Sequence, residues 1–145
     1  MFKNRYYTLP LNYASLKGRK AHDTCGLQTS VAQYIHLITT TYLGEFRVDP
    51  EFGCNVWEYD FDNTVTDNSL KENLKKSILN ALDKYEKRLH NSSVTVSIKQ
   101  VEVDELFKSK RIKKRIEIEI KAKLSATNET FSYFEYFYLG PLSYY

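Results

Sequence analysis

The spacing of apolar residues predicts an amphipathic helix in the middle of the chain, beginning around Ser69. Ser69 and Glu72 have the spacing of a capping box, which satisfies unpaired amides in the first turn. Apolar positions then recur every three or four residues, the period of one helix face. They are Leu70, Leu74, Ile78, Ala81, Leu82, Tyr85 and Leu89. We expect this helix to bury one side and to lead directly into a β-strand.

The end of this helix carries an unusual charge pattern in Tyr85-Glu86-Lys87-Arg88-Leu89. At about 100° per residue, Arg88 projects to the edge of the apolar stripe, whereas Glu86 lies round the flank. A guanidinium that is partly buried there needs a carboxylate or backbone carbonyls as partners. The alternative is an arginine that snorkels to water along the apolar surface.

A second amphipathic helix is predicted from Leu27 to Leu43, with Gly44 at the position of a helix C′ residue. Its β-branched run Ile38-Thr39-Thr40-Thr41 lowers helix propensity, so packing must hold the last turns. His36 projects near the polar side, and without a second ligand at a suitable spacing we interpret it as a surface histidine.

The connection between the helices begins with a compact loop over residues 45–54, where we expect Gly53 to adopt a conformation or a close approach that a β-carbon would forbid. Alternation of aromatic and acidic residues from Trp57 to Asn63 predicts a short half-exposed strand. Asp60 and Asp62 lack the glycine and the terminal glutamate of a calcium loop, so we predict no metal site there.

The rest of the chain alternates apolar and polar residues with the period of a strand. Val94, Val96 and Ile98 share one face, while Val101 and Val103 have the other parity, which predicts a bulge near Gln100. The residues from Ile112 to Leu124 show the clearest two-residue period, and a third strand is predicted from Phe131 to Leu139. The predicted fold class is therefore α+β, with two amphipathic helices packed on a mainly antiparallel sheet of hairpins.

The last predicted strand is aromatic on both faces, which is unusual for a strand with a solvated side. Phe134, Tyr136 and Tyr138 would form a large apolar row on the outer face. Such a patch often marks a partner surface. The alternative is that the N-terminal arm or a helix covers it.

Length and composition are typical of one globular domain, with 145 residues, 42% of them hydrophobic and 27% charged. We expect an N-terminal arm over residues 1–23, extended around Tyr6 to Leu11 and loop-like from Ser15 to Asp23, and a single domain over 24–145. Two cysteines make neither a disulfide framework nor a metal-site spacing. With no apolar run of transmembrane length and no signal-peptide pattern, we expect a cytoplasmic protein.

A basic run between the first two predicted strands could contact phosphates. It comprises Lys108, Lys110, Arg111, Lys113, Lys114 and Arg115. Acidic residues share its neighbourhood and the formal net charge is only +3, so a solvated hairpin tip is the better interpretation. A nucleic-acid-binding domain is therefore the least favoured function class, and we expect no nucleic-acid partner.

The order of these features resembles the GPW family, which comprises baseplate wedge proteins of contractile phage tails and the TssE proteins of type VI secretion systems. The resemblance covers residues 27–139 and is carried by the motifs at Gly44 to Arg47, Pro50 to Gly53 and Tyr85 to Leu89. The family's Glu-Pro-Arg motif corresponds to Glu86-Lys87-Arg88, with lysine in place of proline. The chain is most similar to a divergent TssE protein.

The resemblance implies a structural component of a contractile injection machine and not a catalyst. It implies a cytoplasmic protein within a baseplate, which contacts other wedge subunits and joins them to the first sheath ring by β-strand pairing, with no cofactor, no metal and no membrane insertion. The partner-binding residues it suggests are Glu86, Arg88, Phe52, Gly53, Phe134, Tyr136 and Tyr138.

The competing class is a lysozyme-like glycoside hydrolase, which the family's older descriptions suggested. That chemistry needs two carboxylates on either side of a glycosidic bond. The available acids are Glu45, Glu51, Glu58, Asp60 and Glu86. Their spacing does not select a pair, so we predict no catalytic residue.

Overall fold

Two long helices lie on one face of a three-stranded antiparallel sheet in the computed structural model, which describes residues 6–59, 65–104 and 110–139. This is an α+β architecture, as the sequence predicts. The elements are β1 (Tyr6–Tyr7), α1 (Tyr13–Lys17), β2 (Thr24–Cys25), α2 (Leu27–Thr40), a 3₁₀ helix (Val56–Tyr59), α3 (Asp67–Tyr85), β3 (Leu89–Asp104), β4 (Lys110–Leu124) and β5 (Thr130–Leu139).

The larger sheet has the order β3-β4-β5, with β4 in the centre. The predicted alternation along β4 is confirmed, since Ile116, Ile118 and Ile120 are fully buried against the helices. Ile112 has the same parity but is 61% exposed, and Glu102, which is paired with it, is also exposed. The helices therefore cover the sheet only as far as the Ile98–Ile116 pair.

The irregularity in β3 lies at its beginning and not near Gln100. The register shifts between His90 and Ser93, where Asn91 has a φ of 52°. From Ser93 to Asp104 the pairing with β4 is continuous. The prediction of a bulge near Gln100 is wrong, because Val101 stays half-buried on the outer face and needs no change of parity.

Both long helices have ends that differ from the predicted ones. α3 begins at Asp67 and its N-cap is Thr66, whose hydroxyl accepts a hydrogen bond from the Ser69 amide (3.3 Å). The capping-box start at Ser69 is therefore wrong, because the hydroxyl three residues earlier takes that amide. α2 ends at Thr40 and not at Leu43, since Thr41 already has an extended backbone. The Thr40 and Thr41 hydroxyls donate to carbonyls of the preceding turn, which suits a weak helix end.

Two shorter elements also differ from prediction. The segment beginning at Trp57 is a 3₁₀ helix and not a strand, because the Trp57 indole N–H donates inward to the Thr39 carbonyl (3.1 Å). The rest of that predicted strand, with Asp60 and Asp62, lies outside the described residues. In the arm, Tyr13–Lys17 is helical where a loop was expected from Ser15, since the Asn12 side chain caps it by accepting from the Ser15 amide.

The N-terminal arm is folded back onto the domain. β1 pairs antiparallel with β2, and the Thr8 amide donates to the Asp23 carbonyl (3.1 Å). The Leu9 amide donates to the side-chain oxygen of Gln33 on α2 (2.9 Å). These bonds give the arm a defined path across α2. The division into an arm over 1–23 and one domain over 24–145 stays a prediction.

Candidate functional site

The corner between α3 and β3 is made by three residues, Glu86, Lys87 and Arg88. The Glu86 amide closes the last turn of α3 by donating to the Leu82 carbonyl (2.9 Å), and β3 begins at Leu89. Lys87 is exposed, and its ammonium donates to the Asp83 carbonyl. A cation on an unpaired carbonyl of the last turn is favourable for a helix C-terminus. Lysine thus contributes to the end of this helix through its side chain.

Glu86 and Arg88 form a bidentate ion pair across this corner. Arg88 Nε lies 2.8 Å from Glu86 Oε1, and Arg88 Nη2 lies 2.7 Å from Glu86 Oε2. The Arg88 backbone amide also donates to Oε1, at 3.0 Å. The fork of a guanidinium matches a carboxylate in this way and fixes both side chains.

The electrostatics of the pair depend on its burial. The Glu86 side chain is only 1% exposed and that of Arg88 is 28% exposed. Hydrogen bonding to Glu86 is the main reason that the pKa of Arg88 lies above its ordinary value. A carboxylate taken out of water in this way depends on its cation, so the loss of either partner is costly. The hypothesis of a paired, partly buried charge describes this arginine better than snorkelling does.

Arg88 also ties the corner to three other parts of the chain. Its Nη1 donates to the Ser30 hydroxyl on α2 (2.8 Å), and the ring of Tyr6 from the arm lies over the guanidinium at 5.1 Å. The Arg88 carbonyl accepts a hydrogen bond from the Ser125 amide in the β4–β5 turn (2.8 Å). One residue therefore connects the end of α3 to the arm, to α2 and to the far turn of the sheet.

Phe52 lies beside this corner in a group of four aromatic rings. Its ring centroid is 5.0 Å from that of Tyr85, and 6.0 Å from those of Tyr34 and Phe46. The Tyr85 hydroxyl donates to Asp49 (2.8 Å), which ties the end of α3 to the loop. These residues border an open cleft of about 600 Å³ with Glu45 at its rim.

Gly53 is required by a close approach of two backbone segments. Its φ is +115°, and a β-carbon there would lie 2.4 Å from the Thr41 carbonyl oxygen. The following Cys54 amide donates to that same oxygen (3.1 Å), and Cys54 forms a parallel bridge with Tyr42. The expected conformational role of this glycine is confirmed.

The aromatic row of β5 lies on the outer face of the sheet, away from the corner. Phe134, Tyr136 and Tyr138 are 55%, 47% and 44% exposed. The Arg115 guanidinium lies 4.1 Å from the ring centroid of Tyr136. Within the described parts of the chain, neither the arm nor a helix covers this row, so that alternative is wrong. The structure thus separates the predicted site residues into a corner group and an edge-strand group.

Sequence reasoning missed Glu135, an acid on the inner face of β5. Its carboxylate accepts hydrogen bonds from the hydroxyls of Thr39 (2.8 Å) and Tyr133 (2.7 Å) and contacts His36 Nδ1. Burial, together with this carboxylate, raises the pKa of Tyr133. His36 is exposed, as expected, but it is paired. The signal was an acid at a position where the alternation of β5 requires an apolar residue.

The acids considered for hydrolysis do not form a catalytic pair in the described structure. Glu86 is buried in its ion pair, Glu51 pairs with Lys84, and Glu45 accepts the Tyr42 amide (2.8 Å). Asp60 lies outside the described residues. Over the described ranges, no group of three or more histidines, cysteines and acids could hold a metal ion.

The basic run is partly engaged by acids. Lys114 pairs with Asp67 on α3 (2.9 Å), and Arg115 Nε lies 3.2 Å from Glu117. The part of the run at Lys108 lies outside the described residues. None of the helices in the described ranges is long and apolar enough to cross a membrane.

Both cysteines are free thiols, and both are buried. Burial raises the pKa of the Cys54 thiol to about 11, so the thiolate is not formed at neutral pH. Cys54 contributes packing in the core and not reactivity.

The fold and the corner define a small α+β protein whose central charges hold its own elements together and whose sheet has an open edge at β5. The chain belongs to the family of the baseplate wedge protein gp25, whose pattern it matches over residues 25–129. It is also similar to a crystal structure from Geobacter sulfurreducens that is provisionally named a tail lysozyme. The two are 26% identical with a TM-score of 0.62, over 83% of this chain and 97% of the other. No curated protein matches the chain.

Membership of this family gives the chain a structural role in a baseplate, where it assembles with other baseplate components. The name lysozyme belongs to the similar protein from Geobacter sulfurreducens.

Proposed function

We propose that this protein joins the wedge subunits of a contractile injection machine to the first ring of the sheath, by pairing a sheath strand with the open edge of β5. The machine is a type VI secretion system or a phage-like tail, and the protein acts without catalytic activity. The single observation that carries the proposal is an edge strand that bears exposed aromatic residues along its outer face.

The backbone of β5 supports strand addition. Among the described strands, β5 pairs with β4 alone, over ten residue pairs from Lys114–Leu139 to Lys123–Thr130. Half of its amides and carbonyls therefore face away from β4 and are available to another strand. Main-chain hydrogen bonds of this kind give affinity in β-augmentation, while neighbouring side chains give specificity.

The aromatic row would add buried area to the same contact. Tyrosine and phenylalanine contribute large apolar surfaces at interfaces, and tyrosine also keeps a polar end. β3 is the other edge of this sheet, but its outer-face residues Thr95 and Lys99 are polar. This difference in composition favours β5 as the sheath-facing edge.

The corner group would face the wedge subunits. Its role is indirect, because Glu86 is buried and Arg88 already has several internal partners. Phe52 and Gly53 shape the loop beside it. In this proposal the corner fixes the angle between α3 and the sheet, so that the wedge contact and the β5 edge keep one relative orientation.

A reducing compartment, the cytoplasm, fits the two free buried thiols. The hydrolase alternative is weaker, because every oxygen of Glu86 accepts a hydrogen bond from Arg88. A peptidoglycan turnover assay on the purified protein, with an active lysozyme as control, separates the two. Clear hydrolysis that disappears in Glu86→Gln would favour the enzyme.

The decisive experiment blocks the β5 edge without touching the core. Phe134→Lys with Tyr138→Lys replaces exposed rings by charges that discourage strand addition. We expect the variant to join the wedge subunits encoded with it but not to start sheath polymerisation, observed by electron microscopy. The matched control is Thr95→Lys on the outer face of β3, which we expect to polymerise normally. Normal sheaths with the β5 variant would contradict the proposal.

A further inference from the structure

We propose that the cleft between the N-terminal arm and α2 is a side-chain pocket for the strand that pairs with β5, and that it selects a strand carrying a bulky apolar residue. The inference rests on the proposed pairing at β5. It adds a specificity site that the arm of this chain provides.

The cleft is open and has a volume of about 510 Å³, large enough for the side chain of a leucine or an aromatic residue. It is bordered by the arm, by the exposed side of α2 and by β5. The lining residues are Leu9, Pro10, Ala32, Gln33, His36, Leu37, Thr40 and Tyr133.

The cleft lies on the inner side of the sheet at the open edge. α2 passes over β5 there, because Thr39 and His36 both contact Glu135. Tyr133 belongs to β5 and also lines the cleft. Residues directly opposite each other on paired strands point to the same face. A residue that pairs with Tyr133 from a new strand would therefore point towards the cleft.

The chemistry of the lining favours an apolar side chain. Leu9, Pro10 and Leu37 provide hydrocarbon, and the imidazole of His36 is already engaged by Glu135. A charged side chain entering this space would lose hydration without gaining a matched partner. An apolar side chain would gain burial, as the alternate side chains of an added strand do in other β-augmentation complexes.

The arm provides a fixed wall for this pocket. The Leu9 amide is bonded to Gln33 on α2, and the preceding residue, Thr8, is bonded to Asp23. Tyr6 lies over Arg88, so the same arm is also held at the corner. The arm precedes residue 25, where the family match begins. Specificity for the incoming strand would therefore lie in a part of the chain outside the shared family region.

The arm contains a matched pair of residues for the test. Leu9 and Leu11 lie on either side of Pro10 and are 36% and 40% exposed, but only Leu9 lines the cleft. The probes are overlapping synthetic peptides that cover the extended terminal segments of the sheath protein encoded with this chain. Binding to the full-length protein is measured by fluorescence anisotropy, for the wild type, Leu9→Asp and Leu11→Asp. Circular dichroism verifies that both variants are folded.

We expect one peptide to bind the wild type and Leu11→Asp equally, and to bind Leu9→Asp at least about tenfold more weakly, the effect of losing one buried leucine-sized contact. Replacing a single bulky apolar residue of that peptide by alanine should cause a similar loss. Equal binding to all three proteins would overturn the pocket and leave the strand pairing intact. If no peptide binds the wild type, both the pairing and the pocket are wrong.

Discussion

The corner at Glu86 and Arg88 and the edge strand β5 use their polar groups in opposite ways. At the corner, a buried carboxylate accepts three hydrogen bonds from one arginine, and that arginine bonds onward to α2. Along β5, the outward backbone groups have no partner strand among those described, and the aromatic row is exposed. Satisfied groups make the corner rigid, whereas unsatisfied groups make the edge ready to bind.

This contrast predicts which substitutions unfold the protein and which ones only prevent assembly. Changes at the corner should lower the free energy of unfolding and disrupt assembly as a consequence. Changes at the edge should leave that free energy unchanged.

The largest effect is expected for Arg88→Ala. It leaves Glu86 buried without its cation, which costs about 3–5 kcal/mol in comparable buried pairs. The free energy of unfolding from urea titration measures this loss, and we also expect baseplate and sheath assembly to be abolished. Arg115→Ala is the control, because Arg115 lies on the outer face beside Tyr136 and Glu117. Normal sheath tubes nucleated by Arg88→Ala would count against the account.

The next effect is expected for Gly53→Ala. The new methyl group would meet the Thr41 carbonyl oxygen, and alanine disfavours a φ of +115°. We expect a loss of about 1–3 kcal/mol. Gly44→Ala is the matched control, because Gly44 also has a positive φ, of +84°, but nothing lies within 4 Å of its added β-carbon. Equal losses in the two variants would show that strain alone, and not the close approach, requires glycine at position 53.

A smaller effect is expected for Glu135→Gln. The amide keeps the shape of the carboxylate but weakens the bonds from Thr39, Tyr133 and His36, for a loss of about 1–2 kcal/mol. Thermal unfolding measures the change. Glu119→Gln on the outer face of β4 is the control and should be nearly neutral, since its ion pair with Lys121 is exposed. A neutral Glu135→Gln would mean that this buried carboxylate does not stabilise the contact between α2 and β5.

The smallest effect on stability is expected for Phe134→Lys with Tyr138→Lys. Both side chains are exposed, so the free energy of unfolding should change by less than about 0.5 kcal/mol for each substitution. Urea titration of this double variant beside Arg88→Ala gives the contrast directly. A large loss of stability would show that the aromatic row supports the fold itself.

Sequence periodicity predicted the parts of the fold that depend on one repeated choice. The alternation of Ile116, Ile118 and Ile120 fixed the face of β4, because a shift of one residue would expose all three. Helix ends depend on which of several hydroxyls reaches an amide, and so Thr66 and not Ser69 caps α3. Short-range spacing cannot decide between such neighbours.

The candidate site was predictable only where one stretch of sequence contains both partners. Glu86 and Arg88 are two residues apart, so their pairing could be anticipated from the cost of a buried charge. The contacts with Ser30, Tyr6 and Ser125 join distant segments, and no local pattern encodes them. Glu135 was missed for the same reason, since its hydroxyl donor Thr39 lies on another element.

Amide hydrogen exchange tests the central claim most directly. The protein is measured alone and after addition of the purified sheath protein encoded with it. We predict slower exchange for amides of β5 that face away from β4, with no change in β3, the other edge of the sheet. Unchanged exchange in β5, or protection of β3 instead, would contradict the account.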